Sequence, residues 1–206
     1  MKIATSILNA KNRLECIKKL NKTNTDFIHI DTMDGAFVNN YQLPIDEVNI
    51  LSKETKKPFD IHLMVNNPAN FIKKLNFNNI KCISFHIEVN HPIMPIIELI
   101  KSHNIEVGIA INPTTDINLL KKYINYIDKV LVMSVMPGYG GQKFIENTPE
   151  RIAKIKKLNN NIIIEVDGGI NNETINKVKE LTDICVVGSY ITSKENYEEA
   201  INNLKI

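Results

Sequence analysis

Short runs rich in Ile, Val and Phe alternate with longer helical stretches from one end of the chain to the other. That alternation restricts the fold more than any other feature, because strands separated by helix-sized segments join into a parallel sheet. The strand candidates are Lys2–Leu8, Asp26–Asp31, Phe59–Met64, Lys81–Ile87, Glu106–Ile111, Lys129–Val135, Ile162–Asp167 and Ile184–Gly188. Helix candidates between them include Lys11–Leu20, Pro68–Leu75, Pro92–Ser102, Pro149–Leu158, Glu173–Glu180 and Tyr197–Leu204. Several open on Pro, whose missing N–H costs nothing in a first helical turn, and others follow an Asn or Thr that can cap it. Eight strand–helix units suit either a doubly wound open sheet or a closed (β/α)₈ TIM barrel. The polar residues decide for the barrel. Ser6, Asp31, Met64, His86, Asn112, Ser134, Asp167 and Gly188 each fall at or just past a strand's C-terminal end, whereas an open sheet gathers its site at one switch point.

At 206 residues the chain has room for one domain, spanning 1–206, near the short end for a TIM barrel. With 25 Lys plus Arg against 23 Asp plus Glu, the formal charge of +2 carries no nucleic-acid footprint. No run approaches the ~18 apolar residues of a bilayer span, and the apolar start MKIATSIL is too short for a secretory signal. Cys16, Cys82 and Cys185 form no C-x-x-C pair, so reduced thiols and a cytoplasmic location are expected.

The chemistry concentrates on three strands. In Ile28-His29-Ile30-Asp31 the His and Asp are two apart and share one strand face; His62 and Met64 repeat the spacing, and so do Glu165 and Asp167. A barrel interior is normally branched aliphatic. Two His and two Asp pointing inward each need a partner, and one divalent cation satisfies all four. His29, Asp31, His62 and Asp167 are therefore the candidate metal ligands. Their donors suit Zn²⁺ or Fe²⁺, with Mn²⁺ or Co²⁺ also accommodated. The plainer reading of any one of them is a hydrogen-bonded core residue.

Seven of the eight glycines lie at or after strand ends: Gly35, Gly138, Gly140, Gly141, Gly168, Gly169 and Gly188; Gly108 alone sits within a strand. Loops at Gly138-Tyr139-Gly140-Gly141, Gly168-Gly169 and Gly188-Ser189 at one barrel end form a candidate phosphate cradle, with ordinary turn chemistry as the alternative. Met33, Met64, Met133 and Met136 are core filling, or a soft wall around a flat intermediate.

These segments together resemble the ribulose-phosphate 3-epimerase family over nearly the whole chain. They are Ser6-Ile7-Leu8, His29 to Gly35, Asp60 to Val65, His86-Ile87-Glu88, Asn112-Pro113-Thr114, Val132 to Gln142, Glu165 to Gly169, and Gly188-Ser189. The resemblance implies a TIM barrel and an isomerase of the pentose phosphate pathway in carbohydrate metabolism. It implies a metal on His29, Asp31, His62 and Asp167, and Asp31 and Asp167 as the acid/base pair. It also implies Ser6 near a phosphorylated ketose, His86 in the pocket and phosphate on the glycine loops; His62, Met33, Met64 and Met133 join them as substrate-contact candidates. The expected reaction is inversion at C3, D-ribulose 5-phosphate to D-xylulose 5-phosphate, through a metal-stabilised enediolate. Departures from the family pattern fall at Lys11, Ala36, Asn39, Tyr190 and Thr192. Small Ala36 leaves open a six-carbon substrate such as allulose 6-phosphate. A decarboxylase or aldolase reading lacks its Asp-x-Lys-x-x-Asp motif, and a non-catalytic sugar-phosphate binder would not need the paired Asp. Neither a membrane nor a nucleic-acid partner is expected; a homo-oligomer is compatible with such a barrel.

Overall fold

A computed structural model describes residues 1–205. Eight parallel strands follow one another around a closed barrel: β1 (Lys2–Ser6), β2 (Phe27–Asp34), β3 (Phe59–Met64), β4 (Ile80–His86), β5 (Glu106–Ile111), β6 (Lys129–Met133), β7 (Ile163–Asp167) and β8 (Ile184–Val187). Each pairs with its sequence neighbour, and β1 closes the ring by pairing with both β2 and β8. A two-residue strand, Tyr41–Gln42, folds back antiparallel on the end of β2. Among the described residues no helix is long and apolar enough to cross a membrane.

Phe59–Met64 and Glu106–Ile111 coincide with expectation. β2 runs three residues past Asp31 because Tyr41–Gln42 pairs with Met33 and Asp34 and prolongs the ladder. The connecting elements are α1 (Arg13–Leu20), α2 (Ile45–Leu51), α3 (Pro68–Ile72), α4 (Ile93–Lys101), α5 (Thr148–Leu158), α6 (Ser189–Thr192) and α7 (Tyr197–Asn202). Asn12, Asn67 and Asn196 cap α1, α3 and α7 by accepting from backbone amides of the first turn. The helix expected over Glu173–Glu180 is instead a 3₁₀ turn at Thr174–Lys177, and another 3₁₀ segment covers Ile117–Lys122. Such tight connectors fit the short length per βα unit.

The main apolar core lies between the strands and the helices. It includes Ile3, Ile28, Ile30, Ile61, Leu63, Ile83, Phe85, Ile109 and Val130 from the strands, against Ile17, Leu20, Ile96, Ile97, Ile100, Ile152 and Ile155 from the helices. Each such side chain stabilises the fold by about 1.5–3 kcal/mol when fully buried. The opposite strand faces turn into the barrel, where two small apolar groups form among the described residues. Ala4, Phe27, Ile184 and Val186 make one, and Ala110, Leu131, Met133 and Val135 the other.

Much of the remaining barrel interior is polar. The Lys129 ammonium lies against the carboxylates of both Asp60 and Glu165, all three buried. Gly108 makes the space. A Cβ there would come within 2.2 Å of Ser84 Oγ and 3.2 Å of Lys129 Cε, which explains the one glycine inside a strand. Burial is the largest influence on both acids, and it disfavours their charge. The Lys129 cation nonetheless holds Asp60 well below the usual carboxylate range. Glu165, desolvated and beside the charged Asp60, is pushed up to about 8.

Removing that cation strands a buried charge. The Lys129→Met protein is expected to lose about 3–5 kcal/mol of folding stability, read as a lower urea midpoint. A loss below about 1 kcal/mol, the scale of an exposed ion pair, would show that the pair does not serve as an internal counter-charge.

Candidate active site

Strand register assembles the site. Between β2 and β3 the partners are His29 with Asp60, Asp31 with His62, and Met33 with Met64. All six therefore point into the barrel in two adjacent columns. β7 brings Asp167 from the other side, level with Met133 of β6.

One donor atom from each of His29, Asp31, His62 and Asp167 lies within 4.8 Å of the others. His62 Nδ1 is 3.1 Å from Asp31 Oδ1 and 3.5 Å from Asp167 Oδ2; His29 Nε2 is 3.3 and 3.9 Å from the same two oxygens. His29 Nε2 is buried and has no hydrogen-bond partner among the described residues, whereas the other ring nitrogen, Nδ1, is 2.7 Å from Asp60 Oδ2. An unpartnered buried nitrogen facing two carboxylates and a second imidazole is a donor set that fits a divalent cation. A second carboxylate–imidazole group, His29 with Asp60 and Glu165, lies deeper, where the Lys129 ammonium already supplies the positive charge.

Above the four donors opens a cavity of about 360 Å³. Ser6, Asp31, Met33, Met64, Met133, Gly138, Tyr139, Gly140, Gly141, Asp167, Gly168, Gly169, Gly188 and Ser189 line it. Each was expected at the site from the sequence. Met136 stands apart from the other three methionines and is 48% exposed. His29 and His62 sit beneath the cavity, fully buried. His86 is also fully buried and lies behind His62, its Nε2 2.8 Å from His62 Nε2. His86, expected near the substrate, has its ring between His62 on one side and Glu88 on the other.

Ser6 Oγ donates to Asp31 Oδ2 at 2.7 Å. Two loops meet at the cavity mouth. Asn40 Nδ2 donates to the Gly138 carbonyl (2.7 Å), and Tyr139 OH donates to the Asn39 carbonyl (2.8 Å). Gly169 adopts φ +66°, and a Cβ there would meet Phe144 N at 2.6 Å, so its loop packs edge-on against the segment that follows the glycine run. Of the departures from the family pattern, Tyr190 reaches the cavity wall, Lys11 lines a neighbouring hollow, and Ala36 lines neither.

Asp60, Lys129 and Glu88 were not singled out from the sequence. Asp60 shares the strand face of His62 two residues later, which is a usable signal. Lys129 begins a strand and reads as an ordinary surface lysine until the register is known.

The model of the family described as "Ribulose-phosphate 3 epimerase family" matches residues 2–192. Proteins named ribulose-phosphate 3-epimerase from Helicobacter pylori strain J99 and Methanocaldococcus jannaschii are 35% and 38% identical to this chain. The alignments cover 100% of this chain in both cases, and 97% and 90% of those proteins. The Bacillus subtilis protein of the same name is 33% identical over 100% of this chain and 98% of its own. Among solved structures, 3-hexulose-6-phosphate synthase from Salmonella typhimurium superposes with a TM-score of 0.74 at 15% identity. That match covers 99% of this chain and 96% of the other, and it speaks for the barrel fold alone.

Burial weighs most on His29 and His62 and works against their charge. For His29 the adjacent Asp31 and Asp60 overcome it, and for His62 the hydrogen-bonding Asp167 and Asp31 do, so both imidazoles are held above the ordinary histidine range. A cation that binds here must displace those protons, so binding releases protons and strengthens as pH rises. One or two protons released per cation correspond to Zn²⁺ affinity rising ~10- to 100-fold per pH unit between about pH 6 and 7. Calorimetry in buffers of different ionisation enthalpy reads that release directly. A flat affinity with no release would contradict the proton–cation competition.

Proposed function

The chain belongs to the ribulose-phosphate 3-epimerase family, and from that premise we propose how its cavity converts D-ribulose 5-phosphate to D-xylulose 5-phosphate. The observation that carries the reading is the four-donor cluster at the cavity floor, in which two of the donors, Asp31 and Asp167, also face the cavity.

Inverting a carbon beside a ketone means removing its proton and returning one to the opposite face. A C–H in that position is a far weaker acid than a carboxylic acid, so the negative charge passing onto the C2 and C3 oxygens has to be stabilised. A divalent ion held by His29, Asp31, His62 and Asp167 supplies Lewis-acid stabilisation of that charge. Its identity is expected to be Zn²⁺ or Fe²⁺, with Mn²⁺ and Co²⁺ accepted by the same donors.

Asp31 and Asp167 do the proton work. They come from β2 and β7, and their carboxylates reach the floor of the cavity from different strands. One takes the C3 proton from its side of the sugar; the other delivers a proton from its own side. A single base would return the proton to the face it left, so two acids are what inversion requires. Each has one oxygen turned to the imidazoles, Oδ1 in Asp31 and Oδ2 in Asp167. The Ser6 hydroxyl holds the other oxygen of Asp31 and fixes the plane of that carboxylate. Met33, Met64 and Met133 close the cavity with sulfur and methylene surface, which keeps water from the reacting carbon and accepts a flat intermediate.

The phosphate goes to the glycine loops. Gly138, Tyr139, Gly140 and Gly141, with Gly168, Gly169, Gly188 and Ser189, line one side of the cavity. Backbone amides there approach an anion without side-chain obstruction. The five-carbon substrate is favoured over a six-carbon one because Ala36, whose small side chain suggested a wider mouth, does not line the cavity. So read, the reaction is a sugar-phosphate interconversion of carbohydrate metabolism.

The test is turnover of ribulose 5-phosphate before and after chelation, beside allulose 6-phosphate on the same preparation. Asp31→Asn and Asp167→Asn should each lower turnover by about 10²–10⁴-fold or more while circular dichroism keeps the barrel's signal. Unchanged turnover in a folded, metal-loaded Asp167→Asn protein would refute the two-acid mechanism.

A further inference from the structure

Behind the cavity a second line of buried polar groups leads away from His62. His62 Nε2 lies 2.8 Å from His86 Nε2, and His86 Nδ1 lies 3.0 Å from Glu88 Oε2. The other carboxylate oxygen of Glu88, Oε1, accepts from the Asn112 backbone N–H (2.9 Å) and from the Thr115 hydroxyl (2.5 Å). Arg151 Nη2 donates to the carbonyls of Asn112 and Thr115, both at 2.9 Å, and so fixes the turn that holds Glu88. The Phe37 ring packs on His86, with centroids 4.7 Å apart.

We propose that Glu88 is a positioning residue for the metal site, acting through His86 to fix which nitrogen of His62 faces the cation. This rests on the reading of the four-donor cluster as a metal site. Two ring nitrogens 2.8 Å apart hold one proton between them, so one donates and the other accepts. A carboxylate only accepts, so His86 carries its proton on Nδ1, toward Glu88. His86 Nε2 is then a lone pair and must accept from His62. His62 therefore keeps its proton on Nε2, and Nδ1, the nitrogen beside Asp31 and Asp167, is left to supply a lone pair. Two groups in series, Glu88 and His86, neither in the cavity wall, hold the proton on the far nitrogen of His62 once a cation displaces the one shared between Nδ1 and Asp31.

Glu88→Gln reverses the relay with almost no change in shape. The Asn112 N–H is a backbone donor and cannot turn round, so the amide oxygen stays with it. The amide NH₂ then faces His86 Nδ1 and makes it an acceptor. His86 must donate from Nε2, His62 Nε2 must accept, and the His62 proton moves to Nδ1, where it opposes the cation.

The experiment measures Zn²⁺ affinity by chelator competition on the full-length protein. It also reads histidine tautomers by ¹⁵N NMR on the Zn²⁺-loaded wild type. The wild type should show His86 protonated on Nδ1 and His62 on Nε2. Glu88→Gln should weaken Zn²⁺ binding by about 10–100-fold, and Thr115→Val, which leaves the relay's polarity alone, should stay within about threefold. Wild-type affinity in Glu88→Gln, an equal loss in Thr115→Val, or a wild-type proton on His86 Nε2 would each overturn the proposal. The NMR reading stands even where a variant does not fold. If the wild type binds no Zn²⁺ or other divalent ion, the metal reading itself falls; if it binds and Glu88→Gln binds equally, only the relay falls.

Discussion

Everything at the centre of this barrel depends on the two hydrogen-bonding edges of the His29 imidazole. Nδ1 meets Asp60, which in turn meets the Lys129 ammonium; Nε2 faces Asp31 and Asp167. Charges taken out of water at this depth cost several kcal/mol each unless they are paired. The protein meets that cost with a chain of alternating partners in which His29 links the inner ion pair to the catalytic floor.

That arrangement divides the labour of the fold. The apolar contacts between strands and helices hold the barrel together and involve only outward-facing residues. The inward faces give up much of their apolar packing to polar groups, and their own apolar clusters are small. A site built on strands rather than loops is held rigidly, as the proposed two-carboxylate inversion requires. In the proposed reaction the loops would enclose the phosphate; two of them are tied together across the mouth by Asn40 and Tyr139.

Much of this was legible in the sequence because alternation along a strand is local. His29 with Asp31, and Glu165 with Asp167, declare a shared face without any knowledge of neighbours. Strand ends marked by glycine declare the mouth of the barrel in the same way. What was not legible depends on register between strands, which no single segment encodes. Lys129 looks like a surface residue until β6 is aligned so that it meets Asp60 of β3 and Glu165 of β7. His86 looks like a cavity residue because it ends a strand as Asp31 and Asp167 do near theirs. Only the pairing of β3 with β4, and the reach of Glu88, show that its ring is taken up behind His62. The 3₁₀ turns at Ile117–Lys122 and Thr174–Lys177 escaped for a related reason: their periodicity is too short to separate from a helix by pattern alone.

Register also explains why the two imidazoles use different nitrogens. Asp31 is level with His62 across β2 and β3, and His29 is level with Asp60. His29 thus starts two residues, or about 6.6 Å along the strand, below the level where the acids converge. Only the far nitrogen of the ring, Nε2, can reach up to Asp31 and Asp167 from there; the near one, Nδ1, stays at its own level with Asp60. His62 starts at the level of Asp31, so its near nitrogen, Nδ1, already lies among the acids, and its far nitrogen projects past them toward β4 and His86. Each ring therefore has one nitrogen at the catalytic floor and one that needs a partner elsewhere. Asp60 satisfies the first and His86 the second. The outer partners follow from the strand alignment and are as much a consequence of the fold as the four donors themselves.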